Sequence, residues 1–457
     1  MASPPSTPTH AEGRSIIGAA GARGPVSLPA GATFRRLFAH VQGAAVVNLT
    51  AVLAPVRAIG RDRLGFLGYV TGGHTAIHWY QQIFAVVLPS IQQGLGLSNV
   101  QVGYLQSSRQ LAAGTLNLPV GILADTFAKR QAIILASALL FMGLGYFLMG
   151  LAPALVVAML GAGCIGIGTA VWHPPAMGAL SNRFPDRRAT ALAVHGVGAT
   201  VGDTLTPLAV GALLVSFNYQ AVLRVQLIPA AIVAFVIWRA LSAQFQHVGP
   251  RPSRKSLMAG MGDLMRNPVF VAVSLAQGLM GMSRQVILTF LPLYIENGLG
   301  YDAFELGIYI ALLHVMGTVS QPVLGVLSDR WGRKRVLVPS YAVLGAFFLL
   351  LARATPGWQL VLTVLVIGIF FYTLTNVTTA AVLDVAGTSV QASANGLTSL
   401  IMQVIVLPAP IIAGWLVEQH GYGSSFVLSA SFMFAGALIM LPLRMYQGNR
   451  KTPRFVG

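Results

Sequence analysis

Gly121-Ile-Leu-Ala-Asp125-Thr-Phe-Ala-Lys129-Arg130 is written a second time as Gly325-Val-Leu-Ser-Asp329-Arg-Trp-Gly-Arg333-Lys334. Each copy closes one long apolar stretch and opens the next, so each reads as the tight turn of a helical hairpin. A glycine lets two helices approach, an aspartate stands where the chain leaves the apolar phase, and a basic cluster follows. The repeat runs well beyond these ten residues. Leu88-Pro89, Gly94-Leu95-Gly96 and Gly103 return as Leu291-Pro292, Gly298-Leu299-Gly300 and Gly307. Pro207, Gly211 and Tyr219 return as Pro410, Gly414 and Tyr422. The offset stays at about 203 residues throughout, the mark of two parallel halves.

Of 457 residues, 55% are hydrophobic and 9% charged, with a mean hydropathy of +0.71. Soluble domains carry about 25% charged residues. The chain is therefore an integral membrane protein, with no soluble segment long enough for an enzyme domain. A formal charge of +17 would point to nucleic acid in a soluble protein. Here the charge sorts by side instead. Of the 29 Lys and Arg, 25 fall in expected cytosolic loops and termini or the helix ends beside them; the rest are Arg109, Arg224, Arg284 and Arg353. That asymmetry places both termini in the cytosol of a multi-pass protein of the inner (plasma) membrane, with no nucleic-acid partner. The single Cys164 excludes an intramolecular disulfide. No Walker loop, dinucleotide fingerprint, nucleophile elbow or His/Cys metal spacing is present. Neither a cofactor nor a metal is expected, and active transport would have to draw on an ion gradient.

Runs of roughly 20 apolar residues define the spans. Residues 1–65 form an N-terminal cytosolic arm, disordered to about residue 37, with an interfacial helix rather than a span at 41–56. A first bundle over 66–241 holds helices at 66–89, 100–124, 131–151, 153–179, 189–216 and 219–241. A basic cytosolic linker covers 242–266. The second bundle, 267–444, holds helices at 268–294, 303–328, 336–352, 358–384, 391–417 and 423–444, before a tail at 445–457.

The repeated phrase resembles the hairpin motif of the major facilitator superfamily, G-x-L-x-D-R-x-G-R-[KR]. The second copy matches in full, while Thr126 and Ala128 replace an Arg and a Gly in the first. The resemblance implies an all-α protein of twelve transmembrane helices in two pseudo-symmetric six-helix bundles, rocking around a central site. Gly121, Asp125 and Arg130, with Gly325, Asp329, Arg330 and Arg333, would then latch the cytosolic side. Trp172-His173-Pro174-Pro175-Ala176 and Gly198-Ala-Thr-Val-Gly202-Asp203-Thr-Leu-Thr206-Pro207 resemble the fosmidomycin-resistance branch. Thr206 in place of a glycine, and Asp203, depart from its pattern. That resemblance implies a monomer exporting a small organic anion or drug in exchange for protons. Anion uptake, and a transporter-like receptor or assembly factor without turnover, are the alternatives.

Charged groups at bilayer depth cost about 2.5–3.5 kcal/mol each on insertion scales, so they mark cavities. Thr71, His74, His78 and Gln81 are spaced three, four and three apart, on one stripe of helix one. The repeat offset carries that stripe onto Ser274, Gln277, Gly281 and Arg284 of helix seven, and the two are expected to face each other across a central cavity. Helix two adds Gln106, Arg109, Gln110 and Asn117; helix eight adds His314, Thr318 and Gln321. Arg109 lies about 24 Å above Asp125 at 1.5 Å per residue, and Arg284 at a similar height. These two either snorkel to the outer surface or build a shared anion site, for which the planar guanidinium fork is suited. Asp203 is the acidic side chain at mid-membrane, with His195 two turns away on the same face. It either pairs with an Arg or His, or carries protons. His173 lies beside a Pro-Pro pair expected to loosen helix four, and is either a functional group or part of a hinge. The candidate substrate contacts are thus His74, His78, Gln81, Arg109, Gln110, His173, Gln277, Arg284 and His314, with Asp203 and His173 for proton coupling.

Overall fold

A computed structural model describes residues 60–244, 262–386 and 391–445. Residues 1–59 of the N-terminal arm with its expected interfacial helix, most of the linker and the tail after residue 445 lie outside the described residues, while 61–65, expected in the arm, are already helical.

Twelve helical spans follow in chain order, and no strand occurs among the described residues. They are α1 (Arg61–Leu95), α2 (Asn99–Thr126), α3 (Gln131–Leu151), α4 (Leu155–Arg183) and α5 (Arg188–Ser216). Next, α6 is split into Tyr219–Val225 and Leu227–Leu241, and α7 (Pro268–Leu293) runs on into a π-turn at Tyr294–Gly298. Then come α8 (Ala303–Trp331) and α9 (Arg333–Leu351), with α10 split into Trp358–Phe371 and Thr373–Ala386. Finally, α11 is split into Gln391–Val406 and Ala409–His420, ahead of α12 (Gly423–Met440). Ten of the twelve are apolar enough to cross a membrane by composition alone. The exceptions, α1 and α2, are 35 and 28 residues long. Their hydropathy is diluted by the polar stripes noted above, as expected of helices that line a lumen.

Two features depart from expectation. α4 runs unbroken through Pro174 and Pro175, so the loosened segment is absent. Interruptions fall instead at Gln226, Tyr372 and Leu407-Pro408, in α6, α10 and α11.

The repeat is visible in local chemistry. Ser98 opens α2 and Asp302 opens α8 with capping boxes closed by Gln101 and Glu305, which satisfy orphan N–H groups at both ends of the exchange. Just upstream, Gly96 (φ 61°) and Gly300 (φ 76°) make the left-handed turns that glycine alone adopts cheaply. One apolar core, around Trp172, Tyr146 and Phe84, belongs mainly to the first six helices; a second, around Tyr341, Phe348 and Phe371, belongs to the last six.

The halves meet at two pseudo-symmetric crossings near the loops that precede α2 and α8. At one, a Cβ on Gly103 of α2 would lie 2.6 Å from the Pro410 carbonyl of α11, and one on Gly414 would strike the Asn99 carbonyl. At the other, a Cβ on Gly307 of α8 would strike the Pro207 carbonyl of α5, and one on Gly211 the Ala303 carbonyl. The glycines and prolines that reveal the sequence repeat are therefore the contact points of the seal. Hydrogen bonds join the halves here: Gln93 Nε2 to Asn297 Oδ1 (2.6 Å), Asn297 Nδ2 to Gln92 Oε1 (2.8 Å) and the Val100 amide to Glu418 Oε1 (2.9 Å). Val197 and Val201 of α5, and Val319 and Val323 of α8, are exposed, and a Cβ on Gly325 would meet nothing within 4 Å.

Candidate functional site

Gly198 and Gly202 bring α5 against α1. A Cβ on either would lie 2.6 Å or 2.5 Å from the carbonyls of Thr71 and Thr75. This close approach puts the α1 stripe directly on the polar residues of α5. His78 Nδ1 donates to Asp203 Oδ1 at 2.9 Å, and Gln82 Nε2 donates to the same oxygen at 2.8 Å. His74 Nδ1 donates to the His195 carbonyl at 2.8 Å, and the two rings stack with centroids 3.8 Å apart. From α4, His173 Nδ1 donates to the Thr169 carbonyl at 2.9 Å, and its ring centroid lies 5.4 Å from that of His74 and 5.8 Å from that of His78. Four histidines and one carboxylate thus form a single cluster inside the first bundle.

In the neutral ring, each oxygen acceptor fixes a tautomer: the nitrogen facing a carbonyl or carboxylate carries the proton, which leaves the lone pair on Nε2. His74 is only 6% exposed, and its Nε2 has no hydrogen-bond partner; neither nitrogen of His195, 2% exposed, has one. One ring nitrogen each from His74, His78 and His173 lie within 4.8 Å of one another. The sequence offered no metal-ligand spacing that joins these three residues. The three rings come from two helices, and 95 residues separate His78 from His173, a distance only packing can close.

The second bundle presents a different set. The Arg284 guanidinium lies 4.5 Å over the Tyr372 ring, and the Tyr372 hydroxyl meets His314 Nε2, whose Nδ1 donates to the Ile310 carbonyl. His314 is close enough to Asp203 to interact with it electrostatically, so the two sets face each other across the halves.

Arg109 and Arg284 stand at one level, since Gln285 Nε2 donates to Gln110 Oε1 at 2.8 Å. Each guanidinium turns onto an aromatic ring of its own bundle. Arg109 lies 4.5 Å over Phe84 and reaches the Gln81 carbonyl at 3.4 Å. Gln110 is spent on the seal as well: its side chain donates to Gln403 Oε1 at 3.1 Å, while Gln403 Nε2 donates back to its carbonyl at 2.6 Å. Gln277 donates to Thr379 Oγ1 at 3.0 Å, within the second bundle.

Sequence reasoning missed Gln82 and Tyr372. Gln82 stands four residues after His78, as His78 does after His74, so the i, i+4 stripe could have chosen it over Gln81. Tyr372 had no charged residue near it in the sequence to mark it; it occupies the break in α10.

At the basic end, Asp329 and Asp384 both pair with Arg333, at 2.5 and 2.7 Å. Arg330 and Arg130 are exposed, the latter 5.9 Å over Phe127. The side chain of Asp125 lies outside the described residues. On the first bundle, Arg63 pairs with Asp186 at 2.5 Å, and this hydrogen bond holds the Asp186 carboxyl below its ordinary range.

The Escherichia coli (strain K12) Fosmidomycin resistance protein is 26% identical over 67% of this chain and 75% of its own length. A probable sulfoacetate transporter of Cupriavidus necator is 26% identical over 78% of this chain and 88% of its own. The Hexuronate transporter of Bacillus subtilis (strain 168) is 23% identical over 78% and 86%. A bacterial homologue of the human lysosomal transporter Spinster, solved inward-facing and unoccupied, superposes with a TM-score of 0.65 at 17% identity, over 84% of this chain and 96% of that one. The Major Facilitator Superfamily model matches residues 70–322 and 273–455. With its repeated hairpins, twelve helices and paired crossings, the chain belongs to the major facilitator superfamily.

Proposed function

We propose that this transporter exports a small organic anion in exchange for protons by alternating access, as a monomer of the inner membrane with both termini in the cytosol. Residues 66–241 and 267–444 are the two rocking units. The glycine crossings then seal the outer side, and the conformation described is open to the cytosol. One observation supports the chemistry: a carboxylate–imidazole pair, His78–Asp203, in one bundle faces a guanidinium–phenol–imidazole chain, Arg284–Tyr372–His314, in the other. In a low-dielectric chamber, Arg284 attracts an anion and Asp203 repels it. A proton delivered to the pair neutralises Asp203, removes that repulsion and releases His78. By charge alone the proton and the anion therefore bind together, which suits uptake by co-transport; export by exchange requires in addition that the protonated cluster returns with Arg284 unoccupied. When the halves rock the other way, the hairpins close the cytosolic side, with Asp125 and Asp329 acting on conformation rather than substrate.

Relatives named for sulfoacetate and hexuronate favour the anionic class. They also support a second reading, uptake of such an acid, because the same site serves either direction. Purified protein in liposomes, with an imposed pH gradient and a panel of carboxylates, sulfonates, phosphonates and lipophilic cations, separates these. Anion flux coupled to the gradient supports the reading, and its sign gives the direction. Flux of a lipophilic cation, or no flux of any kind, rejects it.

A further inference from the structure

We propose that His74, His78 and His173 form a binding site for one divalent transition-metal cation of the Zn2+ or Co2+ class, with a fourth position open to an oxygen donor. Imidazole nitrogen suits these borderline cations, and three protein ligands with one open position is the arrangement of reactive rather than structural sites.

Three observations converge. First, one ring nitrogen from each of the three lies within 4.8 Å of the others. A tetrahedral site with metal–nitrogen bonds of about 2.0–2.1 Å needs roughly 3.4 Å between ligands. His78 and His173 are only half-buried, and small side-chain rotations of these two supply the difference. Second, every Nδ1 is already held by an oxygen: the His195 carbonyl, the Asp203 carboxylate and the Thr169 carbonyl. Metal-ligating histidines are oriented in this way, with the outer nitrogen donating to a carbonyl or carboxylate so that the inner one presents its lone pair. Asp203–His78 is the carboxylate–histidine half of such a triad, and its negative charge offsets part of the cation's. Third, His74 Nε2 is buried without a hydrogen-bond partner. An apolar helix interface would not place three oriented imidazoles here when leucines would pack without a polar cost.

The site stands independently of the transported substrate. An anion held by Arg284 could complete the coordination through one of its oxygens, but water serves as well. The full chain, purified without a histidine tag into lipid nanodiscs, is titrated with Co2+ and followed by its visible d–d absorption. One equivalent should bind with the intense bands of a tetrahedral centre, and Zn2+ should bleach them. His74→Gln, His78→Gln and His173→Gln should each weaken binding by about 100-fold or more, and Asp203→Asn by about tenfold as an outer-shell change. His420→Gln, at an exposed position far along α11, should leave it unchanged. An octahedral spectrum, or affinity untouched by His74→Gln and His173→Gln, overturns the proposal. Should those variants fail to fold, X-ray absorption of the zinc-loaded natural chain decides: three imidazole scatterers uphold the site, and fewer overturn it. Neither measurement involves flux, so metal binding without anion transport would break only the proposed function, and transport without metal binding only this site.

Discussion

His74, His78 and Asp203 of the first bundle correspond, through the repeat, to Gln277, Gly281 and Val406 of the second; Arg284 of the second corresponds to Gln81 of the first. Around them the backbone is duplicated closely. Gly103 and Gly307, and Pro207 and Pro410, make the same contacts at mirrored crossings. Duplication has thus preserved the positions where two backbones touch, and let the polar positions between them diverge. The first bundle gathers four histidines and a carboxylate here; the second sets one histidine beside a permanent cation. The hairpins diverge similarly. Gly332 (φ 96°) ends α8 and lets α9 start at once with Arg333 clasped between Asp329 and Asp384. Its counterpart Ala128 cannot adopt that turn cheaply, and a short 3-10 segment, Ala128–Arg130, takes its place. That bundle closes its basic end with Arg63–Asp186 instead.

The largest effect that would break this comparison is expected at the carboxylate. Asp203→Asn should reduce pH-gradient-driven transport in liposomes to the level of empty vesicles while retaining substrate counterflow. Survival of gradient-driven flux would move the proton to His314 or another histidine and erase the asymmetry.

Next comes the cation. Arg284→Gln should weaken anion binding by about 1.5–3 kcal/mol, the worth of a charge-assisted hydrogen bond, or roughly 10- to 100-fold. Arg284→Lys should fall between, since it keeps charge and loses the fork. Arg109→Gln, stacked on Phe84, should lower thermal stability more than affinity. Isothermal titration of the three variants checks the ranking; equal losses for Arg109→Gln and Arg284→Gln would restore a shared site.

The mirrored seal predicts that Gly103→Leu and Gly307→Leu act alike. Either should shift the population towards the outward-open state, read as faster external labelling of a cysteine placed at Ser107 in a Cys164→Ala background. A change in one crossing only would show that the two seals are not equivalent.

A smaller effect separates the hairpins. Gly332→Ala should cost about 1–3 kcal/mol of stability, because a non-glycine residue is strained at that backbone conformation. Ala128→Gly should leave the melting temperature nearly unchanged. The smallest effect concerns Asp186, whose carboxyl is depressed by Arg63. Its contribution is fully present above the ordinary carboxylate range and is lost as pH falls through the lowered value. Asp186→Asn should therefore melt slightly below the natural chain at neutral pH and level with it in acid.

Much of the fold was legible because membrane insertion writes it in one dimension. Long apolar runs and sorted Lys and Arg are read segment by segment, with no need of tertiary contacts. The boundaries of α3, α5 and α7 fell within a residue or so of expectation. Where a helix breaks was less legible. Pro174 and Pro175 do not interrupt α4, while Tyr372, a residue with no helix-breaking chemistry, marks a break in α10. A proline removes a donor, but neighbouring helices decide whether the chain bends there.

By itself, then, the sequence determined twelve spans, two parallel halves, and the polar stripe on α1, because hydropathy, charge asymmetry and a fixed repeat offset are local or periodic signals. Partners were another matter. That Asp203 holds His78 and Gln82, that Arg109 turns to Phe84 and Arg284 to Tyr372, and that three histidines converge were decided only by packing. Side chains on helices one and five meet through close approaches at Gly198 and Gly202, and helix four reaches helix one where Trp172 packs on Gly73. A stripe tells which way a residue faces along its own helix, but what it meets depends on the crossing of the next.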